Sequence, residues 1–289
     1  MQTVVQDKDQ WSVNASTYAK GSQNIKALSQ APVETLFKQL DTAHPFSSAT
    51  AILDVGCGPG GTIEKLIEDY GSELPASTRL VASDFSAGMI EQVRIIQKEK
   101  EKEQPIWARV EAKVLDAQSL NGLEDASMSH ITGTMVYNLV SNGRQALEAA
   151  HRVLQRGGVI GMTLGAGAEW MDIMGIAAKK IRGETAPMYE FPKAYGTLEG
   201  IKAEFEAVGF SSEHVEVIET FMDVSDPSPL VNMFIRGKNP GAMFFVGDYS
   251  EAELDAYVEE VLRLIEEKHS ALPRKLKGLM IVAVGKKLP

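Results

Sequence analysis

The sequence predicts an α/β sandwich: a largely parallel sheet with helices on both faces. Three observations predict it. Short apolar runs alternate with segments of helical periodicity as far as Leu164. The first apolar run leads straight into a glycine-rich turn, ILDVGCGPGG, at residues 52–61. The chain has 289 residues, 44% of them apolar and 24% charged, an ordinary globular composition with length enough for a sizeable core.

The elements follow in order. The first ten residues are polar and are expected to be loose. Residues 11–41 are helical in pattern, with Val33, Leu36, Phe37 and Leu40 on one face. Pro45 and a run of small residues break that pattern. Residues 51–55 read as a buried strand and 62–70, beyond the glycine turn, as a helix. Strands at 80–83 and 110–115 flank a helix at 87–101. A strand at 128–134, a helix at 144–154 ended by Gly157 and Gly158, and a fifth strand at 159–164 complete the alternation.

Beyond Leu164 the rhythm changes. Residues 165–183 read as a helix, 198–208 as another stopped by Gly209, and 215–221 as a strand. Residues 223–249 read as irregular, with Pro227, Pro229 and Pro240 beside apolar patches. Ser250 and Glu253 form a capping-box pattern for a helix whose apolar face is Leu254, Val258, Val261, Leu262 and Ile265. Residues 279–284 are the last strand. The insertion between the final two strands far exceeds a usual loop of about 4–6 residues, and is expected to cover something.

Composition narrows the function. The net charge is −10 and no Lys/Arg block stands out. Nucleic acid and anionic membrane are therefore not expected as partners, because phosphate binding needs concentrated positive charge. Cys57 is the one cysteine, so no intramolecular disulfide can form. The five histidines show no metal-ligand spacing, so no metal is expected, and His130 and His151 read as structural. No apolar run approaches the ~20 residues of a membrane span, and the N-terminus has no signal pattern. A soluble, cytoplasmic protein is the expectation.

The turn at 52–61 carries the chemistry. Gly56, Gly58 and Gly60 allow a sharp bend and a close backbone approach to a ligand. The helix behind them offers unpaired N–H groups to an anion. Asp54, two residues before the first glycine, would repel a phosphate but can order the loop and favour an ammonium nearby. A ligand with a carboxylate, an ammonium and a sulfonium suits this mixture, and S-adenosylmethionine has all three. The same acid argues against an NAD-dependent dehydrogenase, which would place pyrophosphate here.

DVGCGPGG resembles motif I of the class I S-adenosylmethionine-dependent methyltransferases. VASDFSAGM at 81–89 resembles their second motif and VLDAQSL at 114–120 their third. HRVLQRGG at 151–158 is similar to the helix end before the fifth strand, commonly R-V-L-K-P-G-G, with Gln155 and Arg156 departing at a surface turn. These pieces span residues 52–164. The remainder resembles, more loosely, fungal small-molecule methyltransferases of secondary metabolism, some of which methylate thiols of dipeptide-derived metabolites. That part rests on GVIGMTLGAGAEWMDIM and on the long insertion.

The resemblance implies a seven-stranded, Rossmann-like sheet with an antiparallel last strand. It implies cofactor contacts from Asp54, Gly56, Cys57, Gly58, Gly60, Asp84, Phe85, Met89, Asp116, Ala117 and Thr134. Asp84 would accept from the ribose hydroxyls, Met89 would lie on the adenine, and Asp116 and the Ala117 N–H would meet its edge. Taken by itself, Cys57 reads as a small packing residue. Residues 1–50 would form an N-terminal helical segment and 51–289 the cofactor-binding domain, with a lid at about 223–278.

Tyr18, Trp170, Met174, Phe191, Met233 and Phe234 are candidate substrate walls for a small, fairly apolar metabolite. No histidine lies between His151 and His214, so the stretch after the fifth strand offers no imidazole base. This favours a thiol, an amine, an acidic carbon or a hydroxyl as methyl acceptor, with catalysis by proximity. Two alternatives share the fold: a protein methyltransferase, or a protein that binds the cofactor without transfer and serves binding or cyclisation.

Overall fold

The structure is a computed structural model, and it describes residues 8–237 and 239–288. Its strands are β1 (Ala51–Val55), β2 (Arg79–Asp84), β3 (Val110–Val114), β4 (Met128–Thr134), β5 (Leu154–Ala168), β6 (Phe210–Asp223) and β7 (Lys275–Lys287). They form one sheet in the order β3-β2-β1-β4-β5-β7-β6. The first five strands pair in parallel, and β7 runs antiparallel between β5 and β6. All five residues of β1 are buried, as a central strand covered on both faces requires.

Helices cover the two faces. The first pair, α1 (Lys8–Val13) and α2 (Ala15–Ala43), precedes the sheet, and α3 (Gly61–Tyr70), α4 (Ala87–Lys100) and α5 (Gly143–Val153) connect its strands. On one face Val33, Leu36, Phe37 and Leu40 of α2 join Ile63 and Leu66 of α3 and Val93 of α4 over Ile52, Leu80, Val159 and Val282. On the other, Leu147 and Val153 of α5 meet Leu53, Ile131, Ile160 and Ile281. Helix α2 packs against β5, β6 and β7, so the N-terminal segment is one of the layers of the sandwich. Of the ten residues expected to be loose, 1–7 lie outside the described residues and 8–10 already belong to α1.

After β5 come α6 (Glu169–Arg182), the short α7 (Lys193–Gly196) and α8 (Leu198–Val208), which leads into β6. The helix expected from residue 165 starts only at Glu169, because Gly165 to Ala168 continue β5 and pair with β7. Two glycines hide that strand from a propensity reading; the partner strand supplies its order.

The expectation of irregular structure at 223–249 is corrected. The stretch holds two helices, α9 (Pro227–Ile235) and α10 (Pro240–Val246). Pro227 and Pro240 open them. A proline in the first turn lacks an N–H that would be unpaired anyway, so it starts a helix as readily as it stops one. Asp226 and Asn239 cap the two helices, accepting from the N–H groups of Ser228 and Gly241.

The third helix of the insertion, α11 (Glu251–Lys268), begins with the anticipated capping box: Ser250 Oγ accepts from Glu253 N and Glu253 Oε2 from Ser250 N. These helices and α6 share a core of their own, including Ile173, Ile235, Phe245 and Val261. The Tyr257 hydroxyl donates to the Met174 carbonyl at 2.9 Å, and Arg182 reaches Asp248 and Glu253, so α6 is fastened to the start of α11.

Candidate active site

Two cavities adjoin at the carboxyl ends of the parallel strands, where open α/β sheets place their ligands. The first, of about 470 Å³, is lined by Gly56, Gly58, Asp84, Phe85, Met89, Asp116, Ala117 and Thr134, together with residues of the 134–141 loop. The second, of about 230 Å³, is lined by Trp170, Tyr189, Phe191 and Phe234 among others. Trp11, Tyr18, Met135 and Leu139 line both. The two spaces therefore meet at one boundary made of side chains from α1, α2 and the loop after β4.

The first cavity is built by the turn after β1. Gly56, Gly58 and Gly60 all have positive φ, at 59°, 54° and 99°. A Cβ on Gly56 would overlap Val136, whereas a Cβ on Gly58 would meet no protein atom within 4 Å. Gly58 thus presents bare backbone to open space, a cradle that a side chain would fill.

Asp84 ends β2 and is buried. Its Oδ2 accepts from Gly58 N at 3.0 Å and its Oδ1 from Ser86 N at 2.9 Å. Burial raises its pKa, and these two N–H groups oppose the rise by stabilising the carboxylate. Ser86 in turn caps α4, accepting from Met89 N, and that cap sets Met89 beside the cavity.

Asp116 is exposed, and its Oδ1 accepts from Gln118 N at 2.8 Å. It is a turn-former and a cavity-lining residue at once. Thr134 ends β4 and accepts from the Thr62 hydroxyl at 3.2 Å.

Three residues expected at the cofactor do not line the cavity: Asp54, Cys57 and Gly60. Asp54 is only 1% exposed and lies beneath the turn. Its Oδ1 accepts from the Thr132 hydroxyl at 2.8 Å, and its Oδ2 has no partner. Cys57 is tied through its N–H to the Ser83 carbonyl and packs into the core. Burial first, then the charges of Asp54 and Asp84, raise its thiol pKa well above normal, so the sulfur is inert packing. Gly60 caps α3 in a left-handed conformation with Val93 against it. All three hold the turn from behind.

Asp54 has a measurable signature. Burial pushes its pKa up to about 7, with Asp84 adding to the rise and Thr132 opposing it. A carboxyl raised above its unfolded value favours folding fully at low pH. That contribution is lost as pH rises from about 4, the unfolded range, through about 7. Asp54→Asn should therefore flatten the fall in Tm between pH 4 and 7. Parallel Tm–pH curves for the two proteins would disprove the assignment.

The second cavity is mostly apolar, with paired aromatic rings in its wall. Trp170 and Phe234 lie 5.0 Å apart by ring centroid, as do Tyr189 and Phe191. Two expected wall residues sit elsewhere. Met174 is buried in the core shared by α6 and the insertion, because it falls on the face of α6 turned toward Tyr257. Met233 faces a separate niche of about 10 Å³ beside Trp11 and Tyr18, since it lies one residue off the Phe234 face of α9.

Among the described residues, the wall carries no carboxylate and no imidazole; its one cation, Lys277, pairs with Glu219. Its phenols, Tyr18 and Tyr189, both have raised pKa values: desolvation acts on each, and Asp84 adds to the effect at Tyr18. They stay protonated near neutrality and act as donors. His269 is engaged by Glu169 at 2.8 Å, outside the wall.

Sequence reasoning missed Trp11, Met135, Asn138, Leu139, Tyr189 and Thr220, all of which line the second cavity. Met135 has φ of 56°, a strained conformation for a non-glycine residue, at the junction of the two spaces. Nothing in its sequence context marks that strain. Trp11 comes from a helix whose place over α4 is set by contacts remote in sequence, including Ser12 Oγ to Ser86 Oγ at 2.9 Å.

Comparison with known proteins decides the family. A family profile described as a methyltransferase domain matches residues 52–158. The methyltransferase ucsB of an Acremonium species is 30% identical over 260 residues, covering 88% of each chain. The chain belongs to the methyltransferase family. The methyltransferase ktnA of Aspergillus niger is 24% identical over 301 residues, covering 95% of each chain. In fold, the methyltransferase is similar to the YcgJ protein of Bacillus subtilis, with TM-score 0.56 and 17% identity over 89% of this chain and 99% of that one.

The enzyme is a class I, S-adenosylmethionine-dependent methyltransferase, and its first cavity fits that cofactor chemically. At about 470 Å³ it lies within the ~300–1,000 Å³ of small-molecule pockets. Bare backbone at Gly58 allows close approach. Asp84, a buried acid in its wall, favours a cationic ligand and would repel a diphosphate.

Proposed function

We propose that the methyltransferase transfers its methyl group to a thiol, amine, hydroxyl or acidic carbon of a small, fairly apolar metabolite held in the second cavity. The observation that carries this reading is the shared boundary: Trp11, Tyr18, Met135 and Leu139 belong to both walls. A nucleophile seated among Trp170, Phe191 and Phe234 faces the cofactor cavity directly across it.

When bound, S-adenosylmethionine supplies a methyl group already activated on a sulfonium. The rest falls to this chain. Asp84 and Asp116 hold the ribose and adenine ends, with Ala117 N–H, Phe85 and Met89 completing the adenine site. The glycine backbone receives the amino-acid end, and Asp54 braces the turn from below through Thr132. Trp11 and Tyr18 at the start of the N-terminal segment, with the insertion at about 223–278, act as a lid that excludes water. Alignment of this kind contributes ~7–11 kcal/mol to an in-line transfer.

The wall supplies no carboxylate or imidazole base among the described residues. An acceptor that ionises by itself is therefore favoured over an ordinary alcohol. Fungal secondary metabolism is the setting that the two curated relatives support.

Calorimetry with S-adenosylhomocysteine tests the cofactor site, and micromolar binding is expected. Release of S-adenosylhomocysteine from S-adenosylmethionine with a panel of apolar thiols, amines, hydroxyls and acidic carbons then tests the acceptor. Tight binding with no turnover of any acceptor would favour a binding or cyclisation role.

A further inference from the structure

The second cavity contains buried polar atoms that no protein group satisfies. Asn138 lines it, is 7% exposed, and has no hydrogen-bond partner at Oδ1 or at Nδ2. Thr220 lines it, is 4% exposed, and has no partner at Oγ1. Burying such groups unpaired costs stability, and native proteins rarely tolerate it without a reason.

Both residues border the space, with these atoms buried and unpaired in its wall. Thr220 on β6 pairs with Gly278 on β7. A Cβ on Gly278 would stand 2.7 Å from Thr220 Oγ1, so only a glycine fits beside the hydroxyl. Asn138 lies three residues beyond the strained Met135, in the loop that bounds both cavities.

We infer that Asn138 is a specificity-determining residue that reads an amide edge on the methyl acceptor, a neighbouring N–H and C=O as in a lactam or primary amide. This rests on the second cavity being the acceptor site. A carboxamide offers one acceptor and one donor side by side. An amide edge offers the complement, so two hydrogen bonds close at once: the substrate N–H to Oδ1, and Nδ2–H to the substrate carbonyl. Thr220 provides a separate polar anchor. Trp170, Tyr189, Phe191 and Phe234 take the apolar body. A ligand lacking the edge leaves the carboxamide buried and unpaired, which is how a hydrogen-bonding site rejects near-isosteres.

The test uses 2-quinolone, an aromatic lactam, and N-methyl-2-quinolone, which lacks the donor. Binding of each is measured by calorimetry, with and without saturating S-adenosylhomocysteine, for the wild type, Asn138→Leu and Asn138→Asp. The wild type should prefer 2-quinolone by up to about tenfold, as expected for the one neutral hydrogen bond that N-methylation removes. Asn138→Leu should lose that preference and keep its S-adenosylhomocysteine affinity. Asn138→Asp, which has no donor, should also bind 2-quinolone more weakly.

Tm supplies a readout that a structural role would move the other way. Asn138→Leu removes two unsatisfied buried atoms, so its Tm should rise in the free protein. A falling Tm with the preference intact, no preference in the wild type, or no binding of either probe would overturn the inference. Failure to bind S-adenosylhomocysteine with the 2-quinolone preference intact would count against the cofactor-site reading alone.

Discussion

Asp84→Ala is expected to weaken S-adenosylhomocysteine binding by roughly 10–150-fold, the equivalent of ~1.5–3 kcal/mol for hydrogen bonds to a charged group. Two losses combine. The carboxylate is the proposed acceptor of the ribose hydroxyls, and it also accepts from Gly58 N and Ser86 N, thereby fixing the glycine turn and the entry to α4. Asp84→Asn separates the two. An amide oxygen can still accept from one backbone N–H, so the turn is partly kept while the ribose loses a charged acceptor. Calorimetry should place the Asn variant between wild type and Ala. Unchanged affinity in the Ala variant would remove Asp84 from the cofactor site.

Gly58→Val is expected to abolish measurable cofactor binding while leaving a folded protein. At φ of 54° a side chain costs roughly 1–2 kcal/mol of backbone strain. No protein atom lies within 4 Å of the new Cβ, so nothing inside the fold resists it. The isopropyl group instead occupies the cradle into which the cofactor must come. Gly56→Val provides the contrast. There the Cβ overlaps Val136, and the damage falls on the fold itself. Thermal denaturation should show Gly56→Val far less stable than Gly58→Val, and calorimetry should show no binding in the latter. A Gly58→Val protein with wild-type affinity would mean that the turn does not touch the ligand.

Most of the sheet was legible in the sequence, for a physical reason. Buried parallel strands tend to be apolar on both faces, so residues 51–55 and 80–83 announce themselves as runs, whereas Ser129, His130, Thr132 and Thr134 make 128–134 a fainter signal. Edge and pairing strands do not. β6 spans Phe210–Asp223, but Ser211, Ser212, Glu213 and His214 give its first part no apolar pattern, and only 215–221 reads as strand. β5 runs on through Gly165–Ala168 because β7 pairs with it, not because glycine favours extension. The insertion was misread at Pro227 and Pro240, where the same residue type starts a helix or ends one according to position.

The site divides in the same way. By itself the sequence determined the glycine turn, the acids at 54, 84 and 116, and the order of the motifs. These lie on local strand–turn–helix units whose geometry follows from neighbouring residues. Only the tertiary structure decided which of them face the cavity and which brace it from behind. Asp54 and Asp84 are indistinguishable as acids at strand ends, yet one supports the turn from below and the other lines the cavity. Tertiary structure brought Trp11, Tyr18, Asn138, Phe191, Thr220 and Phe234 around one space, from four elements and two loops spread over more than two hundred residues. No local pattern encodes such a gathering, because cavity walls form where distant elements fail to fill the volume between them. Asn138 shows the limit most clearly: nothing around it in the chain distinguishes it, and its meaning lies in the partners it lacks.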